Sequence, residues 1–204
     1  MKLDVSFGYG GSLLKIIKIV PYNENWPREF AEIAGPLRAT LGDVALRIDH
    51  IGSTSVPRLA AKDVIDIQVT VRDFDAPFEA LLGSLGYIRL LAINADHLPP
   101  QVFGPTSEWE KRYFRPPEGQ RPTHLHVRAH GRANQRYALL FRDYLRTHPV
   151  AAGAYAEIKR SLARYHPENW DAYYDIKDPV CDVIWSAAEE WTQMTGWGPG
   201  PSDA

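Results

Sequence analysis

Cysteine is almost absent from this sequence, since Cys181 is the only one among 204 residues. A single cysteine excludes a disulfide within the chain and any zinc cluster built from cysteines, and it is typical of a reducing compartment. Long apolar runs are absent as well: lysines interrupt the short apolar patch of residues 1–20, and no run approaches the ~20 residues of a membrane-spanning helix. We therefore expect a cytoplasmic protein with no signal peptide and no membrane association.

The sequence also has little net charge, with 23 basic and 25 acidic residues and a formal charge of −2. This balance provides no overall attraction to nucleic acid, so no nucleic-acid partner is expected. Hydrophobic residues make up 45% of the chain, which is typical of a globular protein and sufficient for one core. We predict an N-terminal extension over 1–17, one domain over 18–192 and a disordered, Gly- and Pro-rich tail over 193–204. Monomer and homodimer both stay open.

The order of periodic segments indicates the fold class. Strands are predicted at 15–21, 44–51, 64–71, 87–93, 111–114 and 123–127. Helices are predicted to begin at Pro27 and at Asn134 and to cover 77–86, 150–165 and 179–191. This order is typical of an α/β (α+β) protein, in which a mixed sheet is flanked by helices and followed by a C-terminal helical segment.

A hydroxyl-rich turn follows the predicted strand 44–51 and consists of Gly52, Ser53, Thr54 and Ser55. Backbone N–H groups and hydroxyls in such a turn can surround a phosphate or another anion. The same composition is also common in turns and helix caps that bind nothing. The turn is therefore a candidate anion site.

Asp66 interrupts the apolar strand 64–71, and side-chain alternation places Gln68 on the same face of that strand. An unpaired buried carboxylate is costly, so Asp66 should contact a cation, a metal or several hydrogen-bond donors. A salt bridge to Lys62 or to an arginine would satisfy it equally well. Both a ligand site and a structural ion pair stay open for this residue.

His124 and His126 alternate on the predicted strand 123–127, so their side chains face the same side of the sheet. Two such imidazoles can bind one metal or one phosphate, or they can simply form hydrogen bonds at a sheet edge. No third histidine or cysteine lies nearby, which argues against zinc. Arg112 and Arg115 lie on the strand before them, where guanidinium groups can bind phosphate and can equally form a solvated basic edge.

Five motifs in this order resemble the GrpB family. The most specific is HIGSTSVPRLAAKDVIDIQV at 50–69, with the family's Gly-Ser-Thr-Ser-Val-Pro, Ala-Lys and Ile-Asp-Ile. The others are VPYNENWPREF at 20–30, KRYFRPP at 111–117, HLHV at 124–127 and FRDYLRTHPVAAGAYAEIKRSLA at 141–163. Arg58 and Asp63 depart from the family's usual glycine and proline. The resemblance covers nearly all of residues 18–190.

The resemblance implies a nucleotidyltransferase-like sheet, similar to the domain appended to some dephospho-CoA kinases. In active members of that wider superfamily, a Gly-Ser turn holds nucleotide phosphates and an acid-x-acid pair on the next strand binds magnesium. The implied metal positions are Asp66 and Gln68, and an amide in place of the second acid weakens magnesium binding. The implied catalytic residues are Asp66 and His126, with Glu108 or Glu110 as substitutes for the missing ligand.

The phosphate ligands expected from the turn, the lysine and the later strands are Gly52, Ser53, Thr54, Ser55, Lys62, Arg112, Arg115 and His124. Three functions stay open: magnesium-dependent nucleotidyl transfer, non-catalytic binding of a nucleotide or other phosphorylated small molecule, and service as a partner of another enzyme.

Overall fold

A computed structural model describes residues 16–100 and 102–204. Most of the predicted extension lies outside the described residues, but Ile17 is buried and its backbone N–H donates to Pro167 O at 2.7 Å. The strand predicted at 15–21 is reduced, in its described part, to one isolated bridge between Val20 and Ala61. Within the described residues, no helix combines the length and the apolar character that crossing a membrane requires.

The centre of the fold is a five-stranded mixed sheet in the order β1-β2-β5-β4-β3. Its strands are β1 (Ala45–Ile51), β2 (Ile65–Val71), β3 (Ile88–Arg89), β4 (Arg112–Arg115) and β5 (Thr123–Ala129). The pair β2 and β5 is parallel, and the other neighbours are antiparallel. The predicted mixed sheet is confirmed, although β3 is much shorter than the predicted strand 87–93.

Five α-helices of the described part of the chain flank the sheet, as the fold class predicts. They are α1 (Trp26–Leu41), α2 (Phe78–Ser84), α3 (Ala133–Thr147), α4 (Pro149–Tyr165) and α5 (Trp170–Thr195). Helices α1 and α2 pack on one sheet face, where Ile65, Ile67 and Val69 of β2 join the main apolar core. Helices α3 to α5 form a second layer beyond the other face, and the polar side chains of β2 and β5 point toward it.

Helix α5 begins earlier than the sequence predicts. The predicted start was residue 179, whereas the helix begins at Trp170 and includes Pro179 in its interior. Asn169 explains the true start, because its side-chain oxygen accepts a hydrogen bond from the backbone N–H of Ala172. The longer helix brings residues 170–178 over the sheet.

The structure corrects the prediction of a disordered tail over 193–204. The backbone N–H of Ile48 donates to Ser202 Oγ at 2.8 Å, and Ala204 N–H donates to Ile48 O at 3.1 Å. Asp203 pairs with the buried Arg142 at 2.8 Å. Because β1 is an edge strand with unpaired backbone groups, the tail gains hydrogen bonds that composition alone does not reveal.

Arg58 adopts φ +67°, in the left-handed region that favours glycine. It is one of the two positions where the sequence departs from the glycine and proline of the family that it resembles, and glycine adopts this φ without steric cost. At the other position, the Asp63 carboxylate accepts hydrogen bonds from Trp26 Nε1 at 2.8 Å and from Arg121 Nη2 at 2.5 Å.

Candidate functional site

A cavity of about 660 Å³ lies between the sheet and helices α3 to α5. It is lined by the hydroxyl-rich turn, by the polar face of β2 and β5 and by residues from all three helices. Of the predicted site residues, those that line the cavity are Gly52, Ser53, Thr54, Lys62, Asp66, His124 and His126. The turn and the strand acid therefore open into one common cavity.

Gly52 allows the turn to approach Asp66 closely. Its φ is +70°, and a Cβ placed there would overlap Asp66 Oδ2 and lie 2.9 Å from Asp66 Cγ. Any side chain at this position would meet both backbone strain and a fixed carboxylate. The glycine therefore places the turn directly against the acid.

The three hydroxyls of the turn have different roles. Ser55 Oγ donates to Gly52 O at 2.6 Å, and Thr54 Oγ1 lies 3.0 Å from His50 Nε2 in a buried contact. Ser53 Oγ accepts a hydrogen bond from Lys159 Nζ at 2.7 Å. Ser53 is therefore the hydroxyl that joins the turn to a cation in the cavity, whereas Ser55 stabilises the turn and does not line the cavity.

Asp66, His124 and His126 form a cluster on the floor of the cavity. Their potential ligand atoms all lie within 4.8 Å of one another. Asp66 Oδ1 is 2.9 Å from His124 Nδ1 and 4.0 Å from His126 Nε2. Burial alone would raise the pKa of Asp66, but the hydrogen bond from His124 and nearby positive charges outweigh it, so this pKa falls below its usual value.

Two lysines lie in the wall of the cavity and form no ion pair within 4.0 Å among the described residues, although the charge of Asp66 acts on Lys62 and raises its pKa against the effect of burial. Lys62 Nζ lies between 5.2 and 5.5 Å from the ring centroids of Trp170, Tyr173 and Tyr174. Lys159 Nζ donates to Ser53 Oγ and to Ala60 O, both at 2.7 Å. Burial lowers the pKa of Lys62 to about 8 and that of Lys159 to about 7.

A second polar network in the cavity lining holds Asp96. Arg128 donates to Asp96 Oδ2 at 2.7 Å and Lys111 donates to Oδ1 at 2.7 Å, while Asn134 Nδ2 donates to Oδ2 at 3.0 Å. Burial would raise the pKa of Asp96, but Arg128 and Lys111 outweigh it and lower this pKa strongly. The carboxylate is fully engaged by protein groups.

Gln68 belongs to this network and not to the Asp66 cluster. Its Oε1 accepts from Arg128 Nη1 at 2.6 Å, and its Nε2 donates to Gln135 O at 3.2 Å. Because Arg128 already occupies the amide oxygen, the arrangement does not support the metal-ligand role predicted for Gln68. Among the described residues, the groups of potential metal ligands that lie together at Asp66 are the imidazoles of His124 and His126, and magnesium prefers oxygen ligands to imidazoles.

The predicted arginines lie elsewhere. Tyr113 faces the cavity, so side-chain alternation turns Arg112 to the opposite sheet face, where its guanidinium lies 4.1 Å from the Phe74 ring centroid. Arg115, at the end of β4 opposite Ile88 of β3, does not line the cavity. The arrangement therefore does not support the phosphate-binding roles predicted for these two residues.

The two glutamates considered as substitute ligands also lie outside the cavity lining. Glu108 Oε2 accepts from the backbone N–H of Ala133 at 2.9 Å, and Glu110 pairs with Arg132 at 3.2 Å. Both carboxylates stabilise the start of α3. They are not available to complete a metal site at Asp66.

Sequence reasoning missed Lys159 and Asp96. Lys159 lies on the buried face of α4 together with Tyr155 and Leu162, and a lysine on an apolar helix face is a signal that could have identified it. Asp96 lies in a Pro-, Gly- and charge-rich connection, where no periodic pattern distinguishes one acid from another. Its role follows only from the arrangement of its partners.

The chain matches the family model described as GrpB protein over residues 16–187. It is 36% identical over 197 residues to a dephospho-CoA kinase of Mycolicibacterium paratuberculosis, covering 90% of this chain and 48% of that protein. It is 34% identical over 132 residues to UPF0157 protein YqkA of Bacillus subtilis, covering 64% of this chain and 35% of that protein. The chain thus spans about half the length of the kinase it matches.

Among solved structures, the chain resembles the crystal structure of the conserved protein GrpB from Enterococcus faecalis. The TM-score is 0.67 at 31% identity, covering 85% of this chain and 99% of that one. A more distant match is to Cid1 in complex with its short product ApU, with a TM-score of 0.41 at 12% identity, covering 72% of this chain and 45% of that one.

Proposed function

The chain belongs to the GrpB family, and we propose that its cavity binds a nucleotide or another phosphorylated small molecule. The observation that carries this proposal is that Lys62 and Lys159 both line the cavity and form no ion pair within 4.0 Å among the described residues, with Lys159 hydrogen-bonded to the Ser53 hydroxyl. Buried cations normally have a counterion, so a pair without one favours an anionic ligand.

A phosphate group is the anion that suits this part of the cavity. Lys159 already bonds to Ser53, so an anion there would receive an ammonium and a hydroxyl from neighbouring elements. Asp66 repels an anion, so the anion is expected to contact Lys159 and Ser53 and to avoid the carboxylate. The phosphate is therefore expected between Ser53 and the two lysines.

The rest of the cavity suits the organic part of such a ligand. Its volume of about 660 Å³ is in the usual range for small-molecule sites. The aromatic side chains of α3 to α5 that line it are Tyr137, Phe141, Tyr155, Tyr173 and Tyr174. Aromatic faces of this kind can stack on a nucleobase.

Binding is the function that the geometry supports best, and nucleotidyl transfer is the alternative. Two-metal transfer is disfavoured because Gln68 stands in place of the second acid and its amide oxygen already accepts a hydrogen bond from Arg128. The dephospho-CoA kinase relatives make dephospho-CoA a rational ligand to test beside ATP. A role as partner of such a kinase would need no ligand in the cavity.

Replacing Lys159 by methionine should weaken phosphate-ligand binding roughly ten- to a hundredfold, since a hydrogen bond to a charged group contributes about 1.5–3 kcal/mol. Isothermal titration of ATP and of dephospho-CoA, with and without divalent metal, measures this change. Arg160→Met is the matched control, because Arg160 lies next to Lys159 on α4 but is exposed. The control should bind as the parent chain does.

Three outcomes would count against the proposal. If neither ligand binds the parent chain at millimolar concentration, the cavity is not a phosphate site. If both variants weaken binding equally, general charge rather than this site attracts the ligand. If the parent chain releases pyrophosphate from ATP with turnover, the transfer alternative replaces simple binding.

The affinity for ATP should fall as the pH rises above about 7. The free protein has a pKa of about 7 at Lys159 and about 8 at Lys62, and a bound phosphate raises both values because it pairs with the protonated amines. At a pH between the pKa of a lysine in the free protein and its pKa in the complex, binding takes up a proton. In that pH range each lysine can lower the affinity for ATP by up to about tenfold per pH unit. Isothermal titration in buffers of different ionisation enthalpy measures the number of protons taken up on binding. An affinity for ATP that rises with pH would contradict the assignment of the phosphate to Lys62 and Lys159.

A further inference from the structure

We propose that Asp66, His124 and His126 bind a divalent transition-metal ion of the zinc type, with its remaining coordination positions open to the cavity. This site lies in the same cavity as the proposed phosphate site but uses different residues. The two proposals can therefore fail separately. The inference also reverses the expectation from sequence, where two histidines without a third nitrogen or sulfur ligand nearby argued against zinc.

The backbone places the three side chains together. Strands β2 and β5 are parallel, with Asp66 directly opposite His124 and with His126 two residues further along the same face. The potential ligand atoms lie within 4.8 Å of one another. Ligands at about 2.0–2.2 Å from a metal lie roughly 3–3.5 Å apart, so a small movement of His126 completes the set.

The ligand types decide between classes of metal. Imidazole nitrogen suits zinc, iron, cobalt, nickel and copper, whereas magnesium prefers carboxylate, carbonyl and water oxygens. Two imidazoles and one carboxylate therefore favour a transition metal. Three protein ligands also leave at least one position for water or a ligand oxygen, which is typical of zinc sites that are not purely structural.

His126 supplies an independent observation. Its Nδ1 atom is buried and has no hydrogen-bond partner within the described residues, and its Nε2 atom lies 4.0 Å from Asp66 Oδ1, beyond hydrogen-bond distance. Because Nε2 makes no hydrogen bond to Asp66, its lone pair is available to a metal, whose charge would balance Asp66 when a phosphate lies nearby. The unpaired Nδ1 carries a separate cost, which a metal at Nε2 does not remove.

Metal titration tests the proposal directly. The chain is first stripped with a chelator and then titrated separately with Zn²⁺, Co²⁺ and Mg²⁺ in the absence of any phosphate. We expect Zn²⁺ and Co²⁺ to bind with one ion per chain and Mg²⁺ not to bind at millimolar concentration. Bound Co²⁺ should show the intense visible absorption of a site with few ligands, including nitrogen, and not the weak spectrum of the hydrated ion.

Substitutions locate the ion. His124→Gln, His126→Gln and Asp66→Asn should each weaken Zn²⁺ binding by more than about tenfold, which is the smallest loss typical of residues that only support metal ligands. His130→Gln is the matched control, because His130 follows β5 but does not line the cavity. The control should bind Zn²⁺ as the parent chain does.

The proposal is overturned if Mg²⁺ binds as tightly as Zn²⁺, if Co²⁺ keeps the spectrum of its hydrated ion, or if His130→Gln loses as much affinity as His124→Gln. The Co²⁺ spectrum of the unmodified chain decides the question even if a variant fails to fold. Phosphate binding in the presence of chelator, without any metal binding, would overturn this inference alone.

Discussion

Replacing Asp96 by alanine should lower the free energy of unfolding by about 3–5 kcal/mol, the usual cost of removing one partner of a buried ion pair. Asp96 balances Arg128 and Lys111, whose side chains are 6% and 10% exposed. Without the carboxylate, both cations stay in the protein interior without their counterion. Urea unfolding followed by circular dichroism measures the change.

The controls for this experiment separate charge from burial. Asp75→Ala removes the same charge from an exposed position and should change stability by less than about 0.5 kcal/mol. Asp96→Asn removes the charge but keeps one oxygen that can accept a hydrogen bond. Its loss in free energy of unfolding should therefore lie between those of Asp75→Ala and Asp96→Ala. A loss below about 1 kcal/mol for Asp96→Ala would show that solvent or other groups can replace the carboxylate.

Replacing Gly52 by alanine should abolish ligand binding in the cavity and destabilise the fold. The new Cβ would overlap Asp66 Oδ2 and lie 2.9 Å from Asp66 Cγ, so the carboxylate must move away from His124. Both the metal site and the approach to Ser53 depend on that position. Titration with Zn²⁺ and with ATP, together with urea unfolding, measures both effects.

Gly42→Ala is the matched control for this substitution. Gly42 also has a positive φ, +49°, but a Cβ there meets no atom within 4 Å. Gly42→Ala therefore introduces backbone strain from the positive φ but no steric clash of the new Cβ with a neighbouring atom. Gly52→Ala should lose about 1–3 kcal/mol more than Gly42→Ala, the usual range for overpacking, and the control should keep full ligand affinity. Equal effects would mean that the close approach of the turn to Asp66 is unimportant.

Side-chain alternation made part of the site predictable. It correctly placed His124 and His126 on one face of their strand, because parity along a strand depends only on sequence position. That Asp66 lies on the same face follows from the pairing of β2 with β5. Alternation along one strand does not reveal whether the odd- or the even-numbered residues of a neighbouring strand face the cavity. On β4 the cavity face belongs to Tyr113, so Arg112 points to the other layer.

Partners distant in sequence could not be predicted in the same way. Gln68 lies on the predicted strand, but Arg128 of β5 determines what its oxygen does. Lys159 reaches Ser53 across 106 positions of sequence, and that contact depends on how α4 packs over the turn. Hydrogen bonds between residues so far apart in sequence depend on how helices and strands pack together, and no local sequence pattern predicts them.

By itself the sequence determined the mixed sheet, the family, the hydroxyl-rich turn and the alternation that places two histidines on one face of a strand, because each depends on local periodicity or on contiguous motifs. The pairing of β2 with β5, which brings Asp66 opposite His124, belongs to the tertiary structure. Only the tertiary structure decided which charges are paired. Asp96 balances Arg128 and Lys111, whereas Lys62 and Lys159 line the cavity and form no ion pair within 4.0 Å in the described part of the chain. The reason is physical: a buried charge is satisfied by whatever group the packing of distant elements brings within hydrogen-bond distance.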